Sequence, residues 1–400
     1  MIRRVVLAAS VLCLAGCRSE PERPRTQPWK GTVDTLAGGT VRVTNPTEGI
    51  WTEADRWHFV AERRIGGADS GAFSFGEIVG VAPAPSGDIV VADGATQEIR
   101  LFDASGRYLN TLGHKGKGPG EFADIIGLAW DPDARLWVAD AGNSRYIAFR
   151  ATGGDTLRTI PRRVPGALHP WVAGFGDDLN LYDAGAEPRA DGGTDFAFYR
   201  IDPLMGTLFA KLPPLTYRVA RTALNGNAAP PVLSALIPRF TFAFGPNRYL
   251  WFGTTDRYEI TQRTWLGDTV RIINMETQPI SVTDAEKDSI SQELTRTARL
   301  YARPWGRSDI PSVKPAFVRI FTGPDSTVIV QPSASPADEG RIFDVFDSSG
   351  RYLGRATSDV AFITYPVRPV FTEEFVYGVT ATKTGAQQVV RARIYRGPGR

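Results

Sequence analysis

The sequence predicts an all-β fold: a six-bladed β-propeller of four-stranded antiparallel blades, closed by an N-terminal strand and carrying one inserted helix. Three observations lead there. The stretch FGEIVGVAPAPSGDIVVADGATQEIRLF from Phe75 aligns without a gap with FADIIGLAWDPDARLWVADAGNSRYIAF from Phe122, an offset of 47 residues. A period in this range marks a repeat architecture. The octapeptide FDASGRYL (Phe102 to Leu109) returns as FDSSGRYL (Phe346 to Leu353), as a second copy of the same turn would. Finally, Ile65-Gly66 stands as far before Phe75 as Leu112-Gly113 stands before Phe122. Residues 57–66 therefore read as the last strand of a unit whose other strands come from the C-terminus.

Taken in order, the chain opens with Arg3 and Arg4, then an apolar run from Val5 to Leu14 that is too short to span a bilayer as a helix. It ends in Leu14-Ala15-Gly16-Cys17, which resembles the lipobox of bacterial lipoproteins; the other reading is an ordinary secretory signal. A lipobox implies lipid attachment at Cys17. Cys13 and Cys17 are the two cysteines of the chain, so cleavage before Cys17 would leave no free thiol and no disulfide. Arg18, rather than Asp, follows, which favours an outer-membrane, periplasm-facing location in the bacterial envelope. Residues 1–17 are thus read as signal peptide, 18–56 as tether and lead-in, and 57–400 as propeller. Within the lead-in, residues 31–45 hold a short strand at best.

Within a repeat the strands are short, alternate in polarity and are bounded by Gly, Pro and Asp, as antiparallel pairing requires. In the first repeat they are IVGVAPA, DIVVAD, EIRLFD and RYLNTLG. Asp93 and Asp140 end the second strands, where a short carboxylate accepts backbone N–H groups across a turn. Weaker copies follow: Phe242 to Thr254 aligns with Val81 to Asp93 at an offset of 161, and Ile320 to Pro332 at 239. Units start near 75, 122, 167, 240, 316 and 367, and the last lacks a fourth strand that residues 57–66 supply. Two insertions break the period. Residues 215–239 read as a loop over one face. In 283–307, Thr283 and Glu286 form a capping-box pattern, and Ile290, Leu294, Ala298 and Tyr301 recur at helical spacing. That helix either caps the channel or packs passively on the side.

GKGPGEF at 116–122, VADAGNSRYIAF at 138–149 and the FDxSGRYL turns resemble NHL-type repeats. The chain is similar to six-bladed propeller lipoproteins of the NHL and TolB-like kind. The resemblance implies a propeller fold outside the cytoplasm and no particular reaction. Zinc-dependent lyases of that kind use several channel histidines, and this chain has three in all, His58, His114 and His169. Calcium-dependent lactonase propellers use a Glu with Asn and Asp partners on inner strands; Glu77 and Asp124 fit in part, without a matching Asn.

Where inner strands enter the channel, the sequence places Glu77, Asp124, His169, Arg239 and Arg319. Carboxylates with an imidazole could hold a metal; alternatively Glu77 and Asp124 pair with Arg239 or Arg319 and fill the mouth. The insertions add Arg218, Arg221, Arg303 and Arg307 with Trp305, a recognition-type composition. No Walker A loop, GxSxG elbow, HExxH pair or Cys cluster occurs. A net charge of +3 gives no field for nucleic acid. The expectation is a monomeric, cofactor-free propeller that binds a protein, peptide or glycan. The alternative is a metal-dependent hydrolase or lyase with its site at the channel mouth.

Overall fold

In the computed structural model, residues 27–397 are described apart from 68–70, 151–154, 172–173, 177, 192, 213–214, 218–232, 234–235, 246–248 and 299–304. The expected signal peptide with Cys17 lies outside the described residues, as do Arg218, Arg221, Tyr301 and Arg303. The strands form six blades around one axis. Blade 1 is Ile78–Pro83, Ile89–Asp93, Glu98–Phe102 and Tyr108–Leu112. Blade 2 is Ile125–Trp130, Leu136–Asp140, Arg145–Phe149 and Thr156–Pro161. Blade 3 is Gly174–Phe175, Leu181–Pro188, Thr194–Ile201 and Leu208–Lys211. Blade 4 is Phe240–Phe244, Tyr249–Thr254, Glu259–Thr264 and Thr269–Met275. Blade 5 is Phe317–Thr322, Val328–Pro332, Ile342–Phe346 and Tyr352–Ser358. Blade 6 takes Val370–Phe371, Phe375–Ala381 and Gln387–Arg396 from the C-terminal end and Trp57–Gly66 from the N-terminal end.

The closing strand pairs antiparallel with Gln387–Arg396 from Gln388↔Gly66 to Arg396↔Trp57. Its alternation buries Trp57, Phe59 and Ile65. Buried clusters fill the seams between successive blades, and Phe59 and Ile65 belong to the two that flank blade 6. The seam between blades 3 and 4 is built differently. It has few fully buried residues, among them Phe198, Phe242 and Leu250, flanked by partly exposed aromatics such as Phe196, Phe240 and Trp265.

Two stretches fold where the sequence suggested loop or tether. Thr32–Thr35 and Val41–Asn45 form a hairpin whose second strand runs parallel to Thr269–Met275 on the edge of blade 4. The buried Asn45 side chain donates to Gly350 O at 2.9 Å and accepts from Tyr352 N at 2.7 Å, and Trp51 N donates to Leu353 O at 2.7 Å. Part of the 18–56 lead-in is therefore a strap across blades 4 and 5. Its polar alternation hid this, because an edge strand added to a finished blade needs little apolar surface. Leu215–Tyr217, at the start of the expected 215–239 loop, pairs with Thr194–Phe196 and splits the outer strand of blade 3 in two.

The repeated motifs are structural. Asp93 accepts from the backbone N–H groups of Gly76, Glu77 and Ala95, and Asp140 from those of Ala123 and Asp124, so each ties a turn to the start of its own inner strand. In the octapeptide turns, Asp103 and Asp347 accept from Ser105 and Arg107, and from Ser349 and Arg351. The Ser105 hydroxyl and the Arg107 backbone hold the Asp103 carboxyl well below its ordinary range. The GKGPGEF connection is clamped by Arg145, whose guanidinium donates to Gly118 O and Glu121 O at 2.9 and 2.8 Å.

The expected helix is Asp284–Thr297, with Thr283 as N-cap and the Thr283/Glu286 capping box formed. Its Leu294 and Ile290 pack with Leu233, Leu236, Ile237, Trp305 and Ile310. The two insertions thus share one small core.

Candidate ligand site at the channel mouth

Four blades begin their inner strands in the same way. The residue after the second strand donates its N–H to a carbonyl just before the first: Gly94 to Glu77, Ala141 to Asp124, Thr255 to Arg239 and Ser333 to Ala316, at 2.7 to 3.5 Å. Glu77, Asp124 and Arg239 therefore hold equivalent places on one rim. In blades 1, 2 and 5 the register then slips by one residue, between Ile78 and Gly80, Ile125 and Gly127, and Phe317 and Arg319. A bulge of this kind re-aims the residue that follows it. That residue is Gly80 in blade 1, Gly127 in blade 2 and Arg319 in blade 5. A Cβ at Gly127 would stand 2.5 Å from Trp171 O, so blade 2 has no room for a side chain there.

Arg319 lines a cavity of about 730 Å³ together with Arg239, Gln331, Glu339, Thr364 and Tyr365. Only 8% of Arg319 is exposed, and its guanidinium carbon lies 5.1 Å from the centroid of the Tyr365 ring. Burial first, and then the Arg239 charge, push Arg319 down to about 10. Arg368 comes across from blade 6: its guanidinium donates to Phe242 O on the inner strand of blade 4 and lies 5.3 Å from the Phe242 ring centroid. Burial and the Arg319 charge push it down to about 9. Three arginines from three successive blades thus converge. Gln331 is fixed by Thr364, whose hydroxyl donates to it at 2.8 Å. A second hollow of about 470 Å³, walled by the helix, shares Val318, Pro336 and Glu339 with the first. The helix therefore flanks the mouth cavity.

The other expected site residues are placed apart from this cluster. Glu77 is exposed and makes no ion pair with either arginine. Asp124 lies 4.0 Å from His169, both half exposed, a loose pair on the rim. The expected pairing of Glu77 and Asp124 with Arg239 or Arg319 is not what the structure shows. The carboxylates belong to blades 1 and 2, the arginines to blades 4 to 6, and each set stays with its own blades. Arg307, expected on a recognition surface, pairs with Asp284 and Asp288 at the helix start. Among the described residues, no group of three His, Cys, Asp or Glu side chains is placed to hold a metal. Sequence reasoning missed Arg368, although it precedes an inner strand, as Arg239 and Glu77 do; the two-residue strand Val370–Phe371 was too short to mark that place.

A third hollow, of about 800 Å³ between blades 4 and 5, has Asp344 in its wall. That carboxylate is fully buried and fully engaged, by Tyr258 and Tyr352 at 3.0 Å each and by Arg355 at 2.9 Å. It is a structural node.

The chain is a six-bladed β-propeller. A family model described as a 6-bladed beta-propeller, DUF5128, matches residues 72–165, which contain blades 1 and 2. No curated protein matches the chain. Among solved structures, a member of the DUF4221 family from Bacteroides vulgatus aligns at 12% identity and a TM-score of 0.49, over 86% of this chain and all of that one. A streptogramin B lyase aligns at 12% identity and a TM-score of 0.42, over 86% of this chain and all of that one. A gluconolactonase from Xanthomonas campestris aligns at 14% and 0.41, over 94% of this chain and all of that one. None of these likenesses transfers a residue or an activity.

Proposed function

We propose that the protein is a binding module of the bacterial cell envelope, held by a lipid on Cys17, which takes a peptide or glycan ligand at the channel mouth. One observation carries the binding reading: the side chains that converge at the mouth are arginines, which grip a ligand, and the expected carboxylates Glu77 and Asp124 lie apart, with the exposed Glu339 the carboxylate among the described residues of the cavity lining. Hydrolysis or elimination needs a metal or a paired acid and base on the reacting atoms. Asp124 and His169, half exposed and 4.0 Å apart, are poorly placed for either. The lipobox and the Pro- and Arg-rich residues after it support the tether.

Equilibrium dialysis of peptide and glycan fractions from the native envelope against the full-length protein tests the reading. Recovery of an unchanged ligand is expected. A ligand returned cleaved, or stoichiometric divalent metal that is lost in Glu77→Ala, would overturn it in favour of the hydrolase or lyase alternative. For the tether, Cys17→Ala is expected to move the protein from the membrane to the soluble fraction, and retention on the membrane would refute it.

A further inference from the structure

We infer that the mouth cavity is a subsite for a single oxyanion, a carboxylate or a phosphate, gripped by Arg319 beside the neighbouring Arg368 charge. The inference rests on the binding reading above and adds the chemistry of the bound group. Arg319 is more than nine-tenths buried, and its Nε has no hydrogen-bond partner. Among the described residues it has no carboxylate partner, and its charge meets only the Tyr365 ring. Arg368 Nε is likewise buried without a partner, and among the described residues its guanidinium donates to a neutral carbonyl alone. Burying a cation without a counter-charge is among the costliest things a fold can do.

The fold does not require this charge. Blades 1 and 2 place glycine at the position of Arg319, with the same bulge and the same register. A costly side chain that the architecture can do without points to a ligand. A neutral ligand would leave both charges uncompensated, and a cation would add to their repulsion. An oxyanion supplies acceptors that match the planar fork of a guanidinium. The charged side chains lining the pocket are Arg239, Arg319 and Glu339, and Glu339 is exposed on the rim while Arg319 is buried. Tyr365 acts as a positioning residue: its ring lies against the Arg319 guanidinium, while more than half of the residue remains open to an incoming group.

Thermal unfolding of the full-length protein in sodium acetate, sodium phosphate or sodium chloride of equal ionic strength tests this. Wild type is expected to gain stability in acetate or phosphate relative to chloride. Which anion acts identifies the source, a carboxylate or a phosphate. Phosphate stabilises most proteins by exclusion from their surface, so Arg319→Gln is the control, with an expected loss of affinity of about tenfold or more. Arg319→Lys, which keeps the charge and loses the fork, is expected to fall between the two. Without anion, Arg319→Met is expected to melt above wild type by about 1–3 °C, because an unpaired buried charge has been removed. A merely structural arginine would give the opposite sign. The inference fails if neither anion stabilises wild type, if Arg319→Gln responds equally, or if Arg319→Met melts below wild type. Recovery of a neutral ligand by dialysis would leave the binding reading standing and sink this one alone.

Discussion

Gly106 and Gly350 occupy the same place in the two octapeptide turns, each at φ 86°. A Cβ on Gly106 would come no closer than 3.4 Å, to Ile65, whereas on Gly350 it would stand 2.9 Å from Ile273 and 3.0 Å from Arg271. Gly106→Ala is expected to cost about 1–2 kcal/mol, the left-handed backbone alone. Gly350→Ala is expected to cost clearly more, with urea unfolding as the measurement. Asp344→Ala leaves Arg355 without its ion-pair partner and the Tyr258 and Tyr352 hydroxyls without their acceptor, and should cost about 3–5 kcal/mol by the same measurement. Residues like these were half legible. The turn aspartates declared themselves through spacing, because a short carboxylate can reach only nearby N–H groups. Arg319 could be read as unusual only against the glycines at 80 and 127. The convergence of Arg239, Arg319 and Arg368 depends on how blades 4 to 6 meet at the axis, which no local pattern encodes.

Elements differ in how much of their stability is their own. The helix Asp284–Thr297 was readable from its cap and its period, and the capping box forms as expected. Its docking was not readable, because the partners Leu233 and Leu236 come from a distant insertion. Lys314 on the blade 5 side donates to both Glu286 and Ala334 O, so one carboxylate caps the helix and moors it. Burial alone would raise Glu286, but bonds from Lys314 and Thr283 outweigh it and hold the carboxyl below its ordinary value of 4.5. The mooring is therefore fully present above that value and is lost as pH falls through the lower folded value. Protection of the helix amides against hydrogen exchange, relative to the intrinsic rate at each pH, is expected to fall selectively below pH 4.5, and Glu286→Gln should show the weaker protection already at neutral pH. The 32–45 hairpin marks the other limit of local reading. Its outer strand is exposed along its whole length, and only the blade edge it joins makes it a strand.

At the scale of the molecule, the ring stands on one two-ended sheet. Phe59 is fully buried in the seam between blades 5 and 6. Phe59→Ala is expected to cost about 3–5 kcal/mol and to loosen both ends of the chain together, read as increased proteolysis near each terminus. The same closure sets a timetable for synthesis. Gly66 and its partner Gln388 are 322 residues apart, so at ordinary translation speeds the first strand waits on the order of tens of seconds for its neighbour. During that interval WHFVAERRI is an alternating, unpaired edge, the kind of segment that seeks the wrong partner. The finished protein offers a remedy, since Gly397 N donates to Arg56 O at 3.2 Å. A permuted chain with residues 57–66 rejoined directly after 396 through a tight turn would make blade 6 a local hairpin. It is expected to reach the same native state with less aggregation on refolding.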